Sequence, residues 1–251
     1  MKAAPTPAVL LRRAEQWLAA HADPRRAEGA KAYFHRYEPV LYGVAVPEAR
    51  RLARALTLEV RGRWTVREAV AFADRCTERS PMESKCVGWF VLGRFAKDFP
   101  ATLAGHVRRW ILGGRCDNWA LVDALSAEVL APWIERFPER LGVITGWHAS
   151  ANPWLRRASV VPLVRSARRG RHLDAAYTTV EALFGDREDL MHKACGWLLR
   201  EAGKTDMARL ERFLRAHWPR IPRTTLRYAI ERFPPVKRRA LLTETRGGRV
   251  S

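Results

Sequence analysis

A chain of 251 residues that is 47% hydrophobic can bury a sizeable core, as one large domain or one continuous repeat array. Its 45 Lys and Arg outnumber 26 Asp and Glu, and the resulting charge of +19 repels itself in a compact state. A polyanionic partner follows, nucleic acid first; an anionic membrane surface ranks second, because the charge is spread along the chain and forms no polybasic anchor.

The opening stretch MKAAPTPAVLLRRAEQWLAA has a short apolar patch that charge interrupts at once. It is too brief for a signal peptide or a membrane span. Cys76, Cys86, Cys116 and Cys195 form no CxxC pair, and zinc spacing is absent. The seven His show no metal-ligand spacing either. A reduced, soluble, cytoplasmic protein without a metal is expected.

Nearly every segment has helical periodicity, and alternating β-branched runs closed by Asn-Gly or Asp-Gly are missing. Breaks recur at Pro24, Gly43 to Pro47, Gly62, Ser80-Pro81, Phe99-Pro100, Gly113-Gly114, Phe137-Pro138, Ser150 to Pro153, Gly170, Gly185-Asp186, Gly203, Pro219 to Pro222 and Pro234-Pro235. Stretches of about 10–17 residues lie between them, the ordinary helix length. An all-α fold of stacked helical pairs, an α-solenoid, is predicted. No linker divides it: residues 1–6 read as a disordered end, 7–240 as a single domain, and 241–251 as a basic flexible tail.

Within 28–53, Tyr33 and Tyr37 are spaced i, i+4, with Lys31, His35 and Arg36 close by. Aromatic pairs at that spacing are mostly core. In NWALVDAL, residues 118–125, the same spacing puts Trp119 and Asp123 on one helical face. Leu121, Val122, Leu125 and Val129 fall on a neighbouring, buried arc.

The stretch 152–169, NPWLRRASVVPLVRSARR, reads as one helix capped by Asn152 with Pro153 in its first turn. Its free N–H groups and positive dipole end favour phosphate. Arg157, Val161, Val164 and Arg168 form one row. Arg157 ends an apolar stripe and needs a partner, either a phosphate or an acid such as Asp123. Arg156 beside it is a second candidate for DNA contact.

In REDLMHKACGWLLREAGK, Lys193, Trp197, Arg200 and Lys204 make a straight stripe, with Met191, Cys195, Leu198 and Ala202 opposite as core. A ring among cations suits a surface that meets phosphates and stacks on a base or faces a cation. It equally suits a Trp that partly covers a neighbouring helix among solvated charges. KCVGWFVLGRFAK (85–97) is similar to KACGWLLREAGK (193–204), which agrees with a repeat array.

Taken together, the Tyr33 region with YGVAVPEARRLA, then NWALVDAL, NPWLRRAS and KACGWLLREAGKT, resemble the bacterial AlkD family of alkylpurine DNA glycosylases, in the family's order across roughly residues 8–232. The resemblance implies a right-handed α-solenoid of about six HEAT-like helical pairs whose basic concave face holds duplex DNA. It implies N-glycosylase action on purines made cationic at N3 or N7. By position, Asp123 matches the family's catalytic carboxylate, Trp119 and Trp197 the aromatic residues of its cleft, Arg157 its backbone-binding arginine, and Tyr33 an aromatic near the cleft. Ala120 departs from the acid that commonly follows the first Trp.

The chemistry agrees. A cationic alkylpurine is already a good leaving group, and its departure leaves an oxocarbenium-like sugar. That sugar needs a nearby negative charge and a held water more than a strong general acid. HExxH, P-loop and GxGxxG patterns are absent, which favours a cofactor-free hydrolase. No amine nucleophile is indicated, so a lyase step is not expected. The family resemblance implies no dedicated base pocket, so bulky adducts should be tolerated. The reading is a monofunctional, monomeric glycosylase in base excision repair, nucleoid-associated, with Arg156, Arg157, Lys193, Arg200, Lys204 and Tyr33 on DNA. The alternative is a non-catalytic helical-repeat nucleic-acid-binding protein. It explains charge and helices but not a carboxylate among Trp and Arg, which repels phosphate. An RNA reader would want one base-reading set per repeat, and the stripes here are irregular.

Overall fold

In the computed structural model, which describes residues 3–34 and 37–244, all regular structure is helical. His35, Arg36 and the tail from 245 onward lie outside the described residues. Contacts gather into two compact units, Met1–Pro138 and Glu139–Ser251.

The first unit contains α1 (Pro7–Ala20), α2 (Pro24–Lys31), α3 (Val46–Val60), α4 (Val66–Thr77), α5 (Met82–Leu92), α6 (Leu103–Leu112), α7 (Trp119–Leu125) and α8 (Ala131–Arg136). Side-chain caps set several of these starts. Thr6 Oγ1 accepts from Val9 N–H, and Asp23 Oδ1 accepts from Arg26 N–H. Thr65 and Glu68 form a capping box, with Thr65 N–H donating to Glu68 Oε2 at 2.8 Å. Thr6 is therefore engaged, and Pro5 O accepts from Trp64 Nε1 at 2.9 Å. The end of the chain predicted to be loose is tied down from at least Pro5.

The centre of this unit is α5. Every residue of it except Cys86 is buried, and it packs on α1, α3, α4 and α7. Its Glu83 carboxylate accepts from the backbone N–H of Tyr42 (3.1 Å), Gly43 (2.8 Å) and Val44 (3.2 Å). The segment between α2 and α3 is thereby pinned to the core. Gly43 has φ +80 there, and a Cβ at this position would lie 2.1 Å from Asp23 O. Only glycine fits both the left-handed backbone and that approach.

The second unit contains α9 (Leu141–Thr145), α10 (Pro153–Val160), α11 (Leu163–Ala167), α12 (Leu173–Ala182), α13 (Asp189–Ala202), α14 (Met207–His217), α15 (Arg223–Ala229) and α16 (Pro235–Glu244). Its centre is α13, which packs on α10, α11, α12, α14 and α15. Met191, Cys195, Leu198 and Ala202 are all buried, as the stripe opposite the cations predicted.

Three expectations need correction. The helix predicted over 152–169 is two, α10 and α11, because Pro162 has no N–H to continue the ladder. α13 ends at Ala202 with Gly203 as its cap, so Lys204 lies past the helix and off the stripe. The boundary predicted at 241 falls inside α16, which runs to Glu244 with Leu241 buried; residues 245–251 lie outside the described residues.

The internal similarity now has a physical meaning. Gly88 of α5 and Gly196 of α13 occupy the same offset, and each lets a neighbouring helix approach. A Cβ on Gly88 would meet Cys76 Cβ of α4 at 2.6 Å. On Gly196 it would meet Tyr228 Cβ at 2.4 Å and Thr225 O of α15 at 2.7 Å. The repeated Lys-x-x-Gly-Trp thus marks the central helix of each unit. The adjoining Trp residues differ: Trp89 is fully buried, whereas Trp197 is half-buried.

Gly196→Ala should cost about 1–3 kcal/mol, because backbone on α15 must move to admit one methyl group. Gly185→Ala, which would meet nothing within 4 Å, is the control. Denaturant midpoints of the two variants against wild type check this; equal midpoints would show that α13 and α15 do not pack at Gly196.

Candidate functional site

The first unit presents the pair Trp119 and Asp123 on α7. Asn118, itself buried, starts this helix by accepting Leu121 N–H on Oδ1 at 3.1 Å. Leu121, Val122 and Leu125 are fully buried, and α7 packs on α5 through that arc. Trp119 and Asp123 stand one turn apart and half-buried, as the spacing predicted. A π-helical turn over Ser126–Leu130 follows at once. Such turns are rare and recur beside functional residues. This one is held from outside by Arg50, whose Nη2 donates to Glu128 Oε1 at 2.6 Å. Gly93 also allows the chain to approach Glu128 O, where a Cβ would lie at 2.9 Å.

The aromatic neighbour of Trp119 is Phe34, not Tyr33. Their ring centroids are 5.7 Å apart and the planes are inclined by 23°. Phe34 is buried, while Tyr33 is 74% exposed. The i, i+4 reading of Tyr33 and Tyr37 fails because α2 ends at Lys31 and Ala32–Phe34 form a turn. Nothing in the periodicity could point to Phe34; the signal was the end of α2, after which helical spacing no longer applies.

A cleft of about 460 Å³ in the same unit is lined by Glu38, Arg79, Lys85, Arg115, Asn118 and Leu121, among others. Neither Trp119 nor Asp123 lines it.

The second unit carries the basic candidates, and here the structure adds acids that the stripe did not show. Lys193 Nζ lies 2.8 Å from Asp189. Arg200 pairs with Glu231 and lies 3.5 Å from Glu201. Lys204 Nζ lies 2.5 Å from Glu201, a buried carboxylate that also has Arg168 at 3.8 Å. Each of Lys193, Arg200 and Lys204 thus has an acidic partner within its own unit. The hydrogen bond from Lys193 holds the Asp189 carboxyl below the usual carboxylate range and raises Lys193 in turn. Arg200 likewise lowers Glu231. Trp197 is half-buried on the same helix.

On α10 the two adjacent arginines differ. Arg156 is committed to the protein: Nε and Nη2 donate to the buried Asp186 at 2.6 and 3.4 Å, and Nη1 donates to Ser150 O and Ala151 O, both at 3.0 Å. It holds the 185–188 turn, and four of its five N–H groups are engaged in that set. Arg157 is buried, with Nη1 donating to Leu190 O at 2.6 Å. The N-terminus of α10 is also engaged, because Asn152 Oδ1 accepts from Trp154 and Leu155 N–H. It is a capped end and does not offer the free N–H groups expected for phosphate.

Among the described residues, no group of three or more His, Cys, Asp or Glu could hold a metal ion, and no helix is long and apolar enough to cross a membrane. Burial pushes the thiols of Cys86 and Cys195 up to about 12, so neither is a nucleophile at neutral pH.

This all-helical architecture is similar to a solved structure described as a predicted DNA alkylation repair enzyme from Enterococcus faecalis. The TM-score is 0.72 at 18% identity, over 85% of this chain and 97% of that one. At that identity the likeness is one of fold. No curated protein matches the chain. The sequence profile of the family described as DNA alkylation repair enzyme does match, over residues 14–233, and on that span the chain belongs to the DNA alkylation repair enzyme family.

Proposed function

We propose that the protein is a monofunctional DNA N-glycosylase that hydrolyses the glycosidic bond of cationic N3- and N7-alkylpurines in duplex DNA, as a monomer and without a cofactor. The observation that carries this reading is Asp123: a half-buried carboxylate, one turn from a half-buried Trp, in a protein of charge +19 that belongs to a DNA alkylation repair family. An acid there opposes phosphate binding. Its value arises when the C1′–N bond breaks and positive charge grows on the sugar.

In this mechanism the alkylated base leaves with the bonding electrons and becomes neutral. Asp123 stabilises the oxocarbenium-like sugar and accepts a proton from the water that adds at C1′. Trp119 offers its ring to the cationic centre, a contribution of about 0.5–2 kcal/mol. Phe34 fixes the Trp119 ring and is a positioning residue. Trp197 and Arg157 are assigned to the substrate by resemblance, as are Lys193, Arg200, Lys204 and Tyr33 to DNA contact. Arg156 is the weaker member of that set, since most of its donors hold Asp186 and two backbone carbonyls.

Asp123→Asn should slow single-turnover release of N7-methylguanine or N3-methyladenine by about 10²–10³-fold while leaving duplex affinity equal or tighter. Uracil, which lacks the positive charge, should be a poor substrate. Release at the wild-type rate would make Asp123 a structural acid, and a wild type that releases no base would favour the non-catalytic reading.

Phe34→Ala should slow the same step less, by about 2–10-fold, the worth of one aromatic contact. Phe34→Leu or Phe34→Tyr should separate lost packing from lost stacking: full rescue by Leu would remove the ring from the account.

Asp189→Asn should free Lys193 for phosphate. Duplex binding should tighten, and the dependence of log K on log salt should steepen by about one counterion. Because the Asp189 carboxyl sits below its unfolded value, the stability it adds is present above that unfolded value and lost as pH falls through the folded one. The difference in unfolding free energy between wild type and Asp189→Asn should therefore vanish in acid. Unchanged affinity and salt slope would show that Lys193 does not meet DNA.

A further inference from the structure

The apolar row beneath Trp119 and Asp123 repeats every fourth residue. Leu121, Leu125, Val129 and Trp133 are all buried, and the neighbouring row from Val122 to Ile134 is buried at the same spacing. An α-helix turns about 400° in four residues, so such rows drift by about 40° at each step. Over the three steps from Leu121 to Trp133, a continuous α-helix would rotate one end of the row about 120° out of the core. The π-helical turn over Ser126–Leu130 takes up much of that drift, because Ala131 N–H bonds to Ser126 O, five residues back. Both ends are thereby seated. α7 rests on α5, while in α8 Trp133 Nε1 donates to Pro100 O at 3.2 Å and Arg136 Nε donates to Phe99 O at 2.9 Å. A turn this wide is uncommon and needs outside support. Pro132 has no N–H for Glu128 O four residues earlier, and Gly93 closes on that carbonyl instead. The Glu128 carboxylate accepts from Arg50 Nη2 of α3 at 2.6 Å, and the Arg50 guanidinium lies 4.2 Å from the centroid of the Phe90 ring of α5. Arg50 thus ties the turn to two helices of the first unit.

We propose that Glu128, clamped by Arg50, is a positioning residue for Asp123: it holds the π-helical turn that keeps the Trp119–Asp123 face of α7 in place while α8 stays buried. Asp123 lies three residues before this turn. If the turn relaxed to α geometry, α7 would rotate against α8 by about 100°, the angle of one residue, or its buried arc would leave α5. Either movement carries the carboxylate away from the sugar it serves. Glu128 acts through the backbone, five residues beyond Asp123, and takes no part in the bond-breaking step. The role rests on the glycosylase reading proposed above.

The test is single-turnover release of N7-methylguanine from duplex DNA by the full-length protein, with duplex affinity and melting temperature measured alongside. Glu128→Ala and Arg50→Met remove the clamp from either side. Each should slow release by about tenfold and leave affinity within about twofold, because a displaced carboxylate loses rate and not binding. Arg50→Met leaves the residues of the turn untouched, so it decides the matter if Glu128→Ala does not fold. Arg51→Met, which breaks the neighbouring exposed pair with Glu48, should release base at the wild-type rate. With Asp123→Asn already in place, Glu128→Ala should slow release no further, since the group it positions is gone. A further tenfold loss in that background, a parallel loss of affinity in the single variants, or an equal loss in Arg51→Met would reduce the clamp to a structural one and overturn the proposal. A wild type that releases no base refutes the glycosylase, and the positioning role falls with it. Release that is the same in wild type and both clamp variants removes the positioning role and leaves the glycosylase.

Discussion

One buried carboxylate governs how the first unit presents its site. Glu83 lies on the central helix and accepts three consecutive backbone N–H groups of the segment at 42–44. Without it, the buried N–H groups of Gly43 and Val44 would have no partner, at a cost of about 1–3 kcal/mol each. That anchor settles the course of the chain after α2. On this stretch Phe34 meets Trp119, and Trp119 shares its helical face with Asp123. The same α5 that carries Glu83 is the helix on which α7 rests. Backbone hydrogen bonding, ring position and carboxylate position are therefore connected through one element.

Electrostatics in the second unit follow a different rule. The net charge is large, yet Lys193 and Arg200 of α13 and Lys204 just beyond it are matched to Asp189, Glu231 and Glu201. Of these, the exposed Lys193–Asp189 pair adds little to stability. The consequence of the pairs is for binding: an anion that reaches Lys193 or Arg200 competes with an acid already in place.

Local sequence determined the helices and several of their ends. Asn118, Asn152 and Asp206 lie at caps because their short side chains reach the N–H groups of the next turn. The pairing of Trp119 with Asp123, and the buried row beneath them, came from the 3.6-residue period alone. The period misled where a helix stopped early. Tyr33 with Tyr37 and Lys204 with Arg200 are spaced as if on a helix, but α2 ends at Lys31 and α13 at Ala202.

Tertiary structure decided which charges are available. Arg156 and Arg157 are neighbours of identical chemistry, and no local pattern separates them. The fold brings Asp186 from 30 residues away to bind one of them and directs the other onto Leu190 O. Phe34 and Trp119 likewise meet across 85 positions of chain, and the acids that hold α13's cations come in part from beyond that helix. Periodicity reports which residues share a face within one element. Long-range packing decides what that face meets, because a partner's distance in space is not encoded in its distance along the chain.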